Sequence, residues 1–353
     1  MLFIELFNHL NRLAGIMPNI EWDKLKFEYC TTKSNIRLTF KDGKWSEPRL
    51  TDDTSINLHI AASCIHYGQS CFEGLKAFVC KDGKVRLFRP GENAKRLSAS
   101  SNYFLGPEIS EDLFIDAVKK LVRDNIDYIP PYGTKGAMYI RPVLIGTDPR
   151  IGVTPSNSYE LIILAMPVGA YYKGGLKPVN ALIMDEFDRA APNGTGHLKL
   201  AGNYAAGLKP AAVAKEKGFP INLFLDAKTK QYIEEFGTSN FIGITQDGKY
   251  VTPDSHSILP SITNNSLMIL ANELGFPVEK RSVKLSELKD FKEIGACGTA
   301  VIITPIHQIS YGDKLFTYGK PGVCGDVLQR LYNELTAIQY GEKEDIYNWL
   351  IEV

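Results

Sequence analysis

The chain has 353 residues, 40 lysines and arginines set against 40 aspartates and glutamates, and a formal net charge of zero. That balance, with no long basic run, counts against nucleic acid or an anionic membrane surface as a partner. The composition is that of an ordinary globular protein without an apolar run long enough to span a bilayer, and the length exceeds what one compact core usually covers, so two domains are expected.

The first sixteen residues, MLFIELFNHLNRLAGI, carry Leu2, Leu6, Leu10 and Leu13 at helical spacing, interrupted by Glu5, Asn8, Asn11 and Arg12. No basic segment precedes them, which disfavours a secretory signal. Two readings remain, a short amphipathic helix or an extension ahead of a start at Met17, and residues 1–26 are taken as a leader outside the fold. NIRLTF-KDGK-W and GLKAFVC-KDGK-VRLFRP each place Asp-Gly between β-prone runs and predict hairpins over 36–45 and 75–90. Helices are predicted from Gly91 to Tyr103 and from Ser110 to Tyr128. In the second, Leu113, Phe114, Ala117, Leu121 and Ile126 form an apolar stripe behind a Ser110 cap. Buried strands follow at 138–146 and 159–168, completing a small domain over 27–168.

Residues 169–178 read as a Gly/Pro linker. The second domain, 179–353, opens with a strand (179–184), a loop around Lys199 and a helix to about Lys217. Next come two hairpins, NLFLD-AKTKQ-YIEEF and FIGIT-QDGK-YVTP, then a helix opened by Pro260 in its first turn. Later strands around 300–304 and a helix from Gly325 to Tyr340 close it. The six cysteines show no CxxC spacing, which points to a reducing cytoplasm rather than a disulfide framework. No P-loop, no G-x-G-x-x-G after a strand and no H-E-x-x-H is present, and the six histidines are scattered, so no metal is expected.

The most informative residue is Lys199, in NGTGHLKLAGNYAAGL. Gly194, Gly196, Ala201, Gly202 and Asn203 surround it with almost no charge. Such a setting suits a lysine that loses its proton, as covalent capture of an aldehyde cofactor requires. Glu235, in EFGTSN, supplies the carboxylate that a pyridine nitrogen needs, and both residues lie beside glycines that admit close backbone approach. Together they point to pyridoxal phosphate. Ser261, Ile262 and Thr263 stand at a helix start suited to a phosphate. Arg96 reads either as a phosphate ligand or, on residues alone, as a solvated helix charge. Tyr204 reads as a partner of the cofactor's phenolic oxygen or as a core tyrosine. Glu234 reads as an exposed strand carboxylate. Gly298-Thr299-Ala300 is a tight turn whose N–H groups suit an anion.

These blocks, with His66-Tyr67, Phe72-Glu73-Gly74-Leu75-Lys76-Ala77-Phe78, Tyr139-Ile140-Arg141-Pro142-Val143-Leu144-Ile145-Gly146, Lys199-Leu200-Ala201-Gly202-Asn203-Tyr204 and Ile258-Leu259-Pro260, resemble the branched-chain amino acid aminotransferases of fold-type IV from about Phe27 onward. The resemblance implies an α+β, two-domain enzyme with a small α/β domain and a larger domain built on a β-barrel-like core flanked by helices. It implies pyridoxal 5′-phosphate on Lys199, with Tyr204, Glu235, Arg96, Ile262, Thr263 and Thr299 around the cofactor. Tyr67, Phe72, Tyr139, Arg141, Tyr171, Thr299, Ala300 and Val153 match the substrate pocket. The implied partners are amino acids and 2-oxo acids and a second copy of the chain, as a homodimer or higher oligomer. D-amino acid transaminases and aminodeoxychorismate lyases share the lysine and the glutamate; the YIRPVLIG and FEGLKAF blocks favour the branched-chain reading. Asn264 and Asn265 stand where the family often has an arginine, and Val301 and Thr304 where some animal relatives have a CxxC. Tyr29, in a stretch that aligns poorly, is a further pocket candidate.

Overall fold

A computed structural model describes residues 20–170 and 175–353. The expected leader helix, and Tyr171, lie outside them. Among the described residues the strands form two sheets. The first is antiparallel and runs in the order Leu350–Glu352, Val85–Phe88, Leu75–Val79, Ala137–Gly146, Tyr159–Val168, Asn35–Lys41, Lys44–Trp45, with Arg49–Thr51 and Ser70–Phe72 as side pairings. Its long central pair is in register over its whole length, from Ala137 opposite Val168 to Gly146 opposite Tyr159. Helices Pro90–Tyr103 and Glu111–Asp124 cover one face. The second helix starts where the sequence places it: Ser110 Oγ accepts from the Leu113 amide at 3.3 Å. Phe114, Ala117, Val118, Leu121 and Val122 then bury one stripe against the sheet.

In the second sheet, six strands close on themselves. Ser239–Thr245 pairs with Phe291–Gly298, then come Ile302–Tyr311, Val179–Met184, Ile221–Leu225 and Tyr232–Phe236, which pairs back to Ser239–Thr245. Closure removes the edges and fills the interior with side chains such as Leu223, Phe236, Phe241 and Ile294. Gly243 is required there, because a Cβ would lie 2.4 Å from Cε1 of Phe291. Helices Ile262–Glu273 and Asp326–Gln339 pack outside the barrel. Their buried residues Leu267, Leu328, Leu331 and Leu335 share one apolar cluster with Phe78 and Phe88 of the first sheet. That cluster bonds the two sheets into one body and holds open the cleft between them.

Three expectations are corrected. Pro260 precedes the helix rather than entering its first turn: Ser261 is the N-cap, its Oγ accepting from the Asn264 amide at 3.1 Å. The helix after Lys199 is two helices, Ala201–Ala206 and Leu208–Glu216, broken at Gly207. The chain also ends in a strand, Leu350–Glu352, that returns to pair with Val85–Phe88 of the first sheet. Its few residues carry too little alternation to register as a strand. No helix among the described residues is long and apolar enough to cross a membrane.

Leu331 is fully buried in the cluster shared by the two sheets. Leu331→Ala should therefore lower the unfolding free energy by about 2–5 kcal/mol. Urea denaturation checks this, and a loss no larger than that of an exposed alanine substitution would show that the cluster does not hold the sheets together.

Candidate active site

Between the sheets lies a cleft of about 880 Å³. Phe72, Tyr139 and Arg141 line it from the first sheet, and Glu235, Thr238 and the Gly298–Ala300 turn from the barrel. Lys199 and Tyr204 reach it from the loop and short helix between the sheets.

Lys199 is fixed through its backbone. Its carbonyl accepts from the Phe72 amide at 3.1 Å, and its amide donates to Ser100 Oγ at 3.0 Å. Nζ donates to Tyr204 Oη at 2.8 Å and sits 4.8 Å above the Phe72 ring. Burial, reinforced by Arg96 and Arg141 and opposed by Glu73 and Glu235, lowers the pKa of the amine to about 7. The same burial raises the Tyr204 phenol to about 12, so Tyr204 keeps its proton. Lys199 is thus a lysine able to hold or give up a proton near neutrality.

Arg96 is not a solvated helix charge. Its guanidinium makes a two-pronged pair with Glu73, Nε to Oε1 at 2.7 Å and NH2 to Oε2 at 2.8 Å, and NH1 donates to the Pro260 carbonyl at 2.7 Å. Glu73 is completely buried. Burial alone would raise its pKa, but Arg96, with help from Lys199 and Asn93, holds the carboxyl below its ordinary value. Arg96 thereby reaches the start of helix Ile262–Glu273, whose first N–H groups have no partners within the helix. Ile262, Thr263 and Thr299 line a small cavity beside it. Asn264 turns inward, accepting from Tyr250 Oη at 2.5 Å and donating to Thr252 Oγ1 at 2.9 Å. The Asn265 and Ser266 side chains accept from Arg89. A guanidinium therefore reaches this first turn from another element.

Glu235 is buried on strand Tyr232–Phe236. Oε1 pairs with Arg189 at 2.6 Å and accepts from the Leu259 amide at 3.1 Å, while Oε2 accepts from Asn240 at 2.9 Å. Burial raises its pKa to about 7 in spite of Arg189. Glu234, expected on the surface, is also buried; it accepts from Ser255 and Ser257, and burial pushes its carboxyl up. The loop carrying Ser255 and Ser257 covers it, so the strand has no wet face at this position.

At the turn, Thr299 and Ala300 face the cleft, and the Ala300 carbonyl accepts from Lys76 Nζ at 2.8 Å. Ile302 follows with φ of +66°, a left-handed conformation that β-branched residues rarely adopt and that strains this rim. Arg141 donates to Tyr139 Oη at 2.9 Å and lies 4.7 Å over the Phe72 ring. Among the described residues no carboxylate pairs with it.

Tyr67 and Val153 are not in this cleft. Tyr67 Oη donates to the Ile151 carbonyl, and Ile151 and Val153 are 67% and 82% exposed. Phe27 rather than Tyr29 reaches the pocket, its ring 4.8 Å from that of Tyr139, while Tyr29 faces outward. Sequence reasoning missed Glu73, Arg189 and Asn240. Arg189 stands in a charged run, Asp185-Glu186-Phe187-Asp188-Arg189, ahead of the uncharged stretch around Lys199, and reads there as one more solvated surface charge.

The family model for class IV amino-transferases matches residues 70–309. A branched-chain-amino-acid aminotransferase of Haemophilus influenzae is 44% identical over 343 residues, covering 96% of this chain and all of that one. The solved branched-chain amino acid aminotransferase of Escherichia coli is 29% identical, with a TM-score of 0.75 over 90% of this chain and 99% of that one. The branched-chain amino acid aminotransferase of Thermobaculum terrenum, solved in its PLP form, is 23% identical, with a TM-score of 0.75 over 91% of this chain and 98% of that one. The barrel and the flanking helices are the architecture these structures share with this chain.

The site makes one direct prediction. Lys199 is neutral above a pH of about 7 and charged below it. In the apoprotein it should be acylated half-maximally near that pH, some three units below surface lysines at about 10.4. Competitive acetylation read by peptide mass spectrometry measures this, and a midpoint near that of the surface lysines would refute the lowered pKa.

Proposed function

The chain belongs to the class IV amino-transferases, and we propose that it exchanges amino groups between the branched-chain L-amino acids leucine, isoleucine and valine and 2-oxoglutarate, with pyridoxal 5′-phosphate held on Lys199. One observation carries this reading. A single cleft presents a lysine with a pKa near neutrality, a buried ion-paired glutamate and an aromatic wall ending in an arginine without a carboxylate partner among the described residues. The donor set fits the cofactor: an amine for an aldehyde, a carboxylate for a ring nitrogen, and a helix start with Arg96 for a phosphate.

When bound, pyridoxal phosphate supplies covalent capture of the amino group and a ring that takes up electrons from Cα. The residues do the rest. Lys199 Nζ, able to hold or give up a proton near neutrality, would take the proton from the substrate Cα and return it. Tyr204 Oη accepts from that amine and orients it. The Glu235 carboxylate would pair with the cofactor's ring nitrogen and favour its protonated form. Arg96, the amides of Ile262 and Thr263, and Thr299 would hold the phosphate, with Glu73 fixing the arginine. The Thr299–Ala300 backbone is assigned to the substrate α-carboxylate. Phe72, Tyr139 and Phe27 form an apolar cage for a branched side chain, and Arg141 receives the γ-carboxylate of glutamate when it uses the same pocket.

The assembly we propose is a homodimer or a higher oligomer, in which Tyr67 and the loop bearing Ile151 and Val153 complete the neighbouring subunit's pocket. Their outward placement supports this, and Tyr171 is assigned to the substrate pocket with Phe72 and Tyr139. A cytoplasmic location is proposed from the chain's cysteines, all six of which are free.

Borohydride reduction of the yellow holoenzyme should fix the pyridoxyl group on Lys199, and a labelled peptide bearing another lysine would reject the assignment. Arg141→Met tests the pocket. Leaving a buried carboxylate unpaired costs up to about 3–5 kcal/mol, whereas leucine gives up no ion pair. The variant should lose far more kcat/KM for glutamate than for leucine. Equal losses with a lowered Tm would make Arg141 a structural strand residue. An enzyme inert toward glutamate but active on D-alanine would favour the D-amino acid transaminase.

A further inference from the structure

Arg189 lies behind the cleft, on the segment after strand Val179–Met184, with its side chain only 10% exposed. Its guanidinium reaches three separate segments. NH2 pairs with Glu235 Oε1 at 2.6 Å and donates to the Gly196 carbonyl at 3.0 Å, and NH1 donates to the Ser257 carbonyl. Gly196 belongs to the loop that carries Lys199. The loop at Ser257 leads to Leu259 and Pro260, whose amide and carbonyl meet Glu235 and Arg96. We propose that Arg189 is a positioning residue that ties the loop carrying Lys199 to the strand carrying Glu235, fixing the two cofactor anchors relative to each other and giving the buried carboxylate its counter-charge. The inference rests on the pyridoxal-phosphate reading above.

The packing leaves no other group for this task. Gly196 and Ser257 touch backbone to backbone: a Cβ on Gly196 would lie 2.1 Å from the Ser257 oxygen. One guanidinium reaches both backbone carbonyls as well as the carboxylate, and a planar fork supplies donors at that fixed spacing where a single ammonium does not. Among the described residues Arg189 is the only cation in ion-pair contact with Glu235. Asn240 and the Leu259 amide, the other hydrogen-bond partners of Glu235, are neutral. The remaining titratable groups facing it are Glu234, which opposes its ionisation, Cys297 and Tyr204, which burial keeps protonated and neutral, and Lys199, which carries only part of a charge near neutrality. Without Arg189, burial and Glu234 act on Glu235 against only the Leu259 amide and the partial charge of Lys199.

The test is a double-mutant cycle on the full-length protein, made of Arg189→Met, Glu235→Gln and the pair. It reads the dissociation constant of pyridoxal phosphate by equilibrium dialysis, the pH profile of kcat and the Tm. In the otherwise native chain, Arg189→Met should weaken cofactor binding and shift the acid limb of kcat to higher pH, each by about tenfold or one pH unit. The sign follows from the charge: loss of the cation raises the Glu235 pKa, so Glu235 protonates at a higher pH. In the Glu235→Gln background the same change should have a much smaller effect. Equal effects in both backgrounds, tracking the fall in Tm, would overturn the proposal. If the methionine variant does not fold, Arg189→Lys decides. It keeps the charge but not the fork, so the acid limb should stay in place while cofactor affinity falls, and unchanged affinity would refute the tie. A wild-type protein that neither binds pyridoxal phosphate nor transaminates would fail the functional reading itself. One that does both without the coupling would fail only the assignment of Arg189.

Discussion

The constraint on which this structure depends is the burial of charge in a cleft that must also accept apolar side chains. Glu73, Arg96, Arg189, Glu235 and Lys199 are all removed from water to a large degree. An isolated charge in such a place costs several kcal/mol, about 3–5 kcal/mol when one partner of a buried pair is deleted. The chain resolves this by giving two of the charges a dedicated counter-charge. Glu73 neutralises Arg96 at one end of the cleft, and Arg189 neutralises Glu235 at the other. Lys199, between them, has no carboxylate in ion-pair contact among the described residues and makes its hydrogen bond to a phenol. Its low pKa follows from burial, reinforced by Arg96, because of these five charges it is the one left without an ion pair.

This arrangement explains the two-sheet architecture. A pocket within one sheet's core could not receive charges from both ends. Here the first sheet and its helix provide Glu73 and Arg96, the barrel provides Glu235, and the intervening segment provides Arg189 and Lys199. The apolar cluster around Leu328, Leu331 and Leu335 packs against both sheets and fixes the distance between them. Closure of the barrel matters as much. It leaves the strand bearing Glu234 and Glu235 no free edge, and the loop from Ser255 to Leu259 covers both carboxylates.

Much of this was legible in the chain. Asp-Gly turns mark the hairpins, Ser110 marks a helix start, and the uncharged setting of Lys199 marks its function. These signals are local, as helix caps and turns are. What was not legible depends on partners distant in sequence. Arg96 reads as a surface charge because its stripe on helix Pro90–Tyr103 is polar; only Glu73, on another element, turns it inward. Glu234 reads as exposed because alternation along a strand implies one wet face, and the loop carrying Ser255 and Ser257 covers that face. Phe27 sits in a stretch with no pattern of its own and is placed by Tyr139. The two asparagines after Thr263 divide their roles, one into the core and one toward Arg89, which no single-residue reading separates.

The division of labour between Arg189 and Arg141 shows how one residue type serves opposite ends. Both guanidiniums lie near the cleft, and both touch aromatic or polar groups of fixed geometry. Arg189 is saturated by a carboxylate and two carbonyls, so it does not line the cavity and has no capacity left for a ligand. Arg141 is held by a phenol and stacked on Phe72, with no acid among the described residues paired to it. A stacked guanidinium presents an apolar face to a hydrocarbon side chain and keeps its edge for a carboxylate. The same wall is therefore dry toward one substrate and ionic toward another. That property comes from what Arg141 lacks, a buried partner, as surely as the fixed position of Glu235 comes from the partner it has.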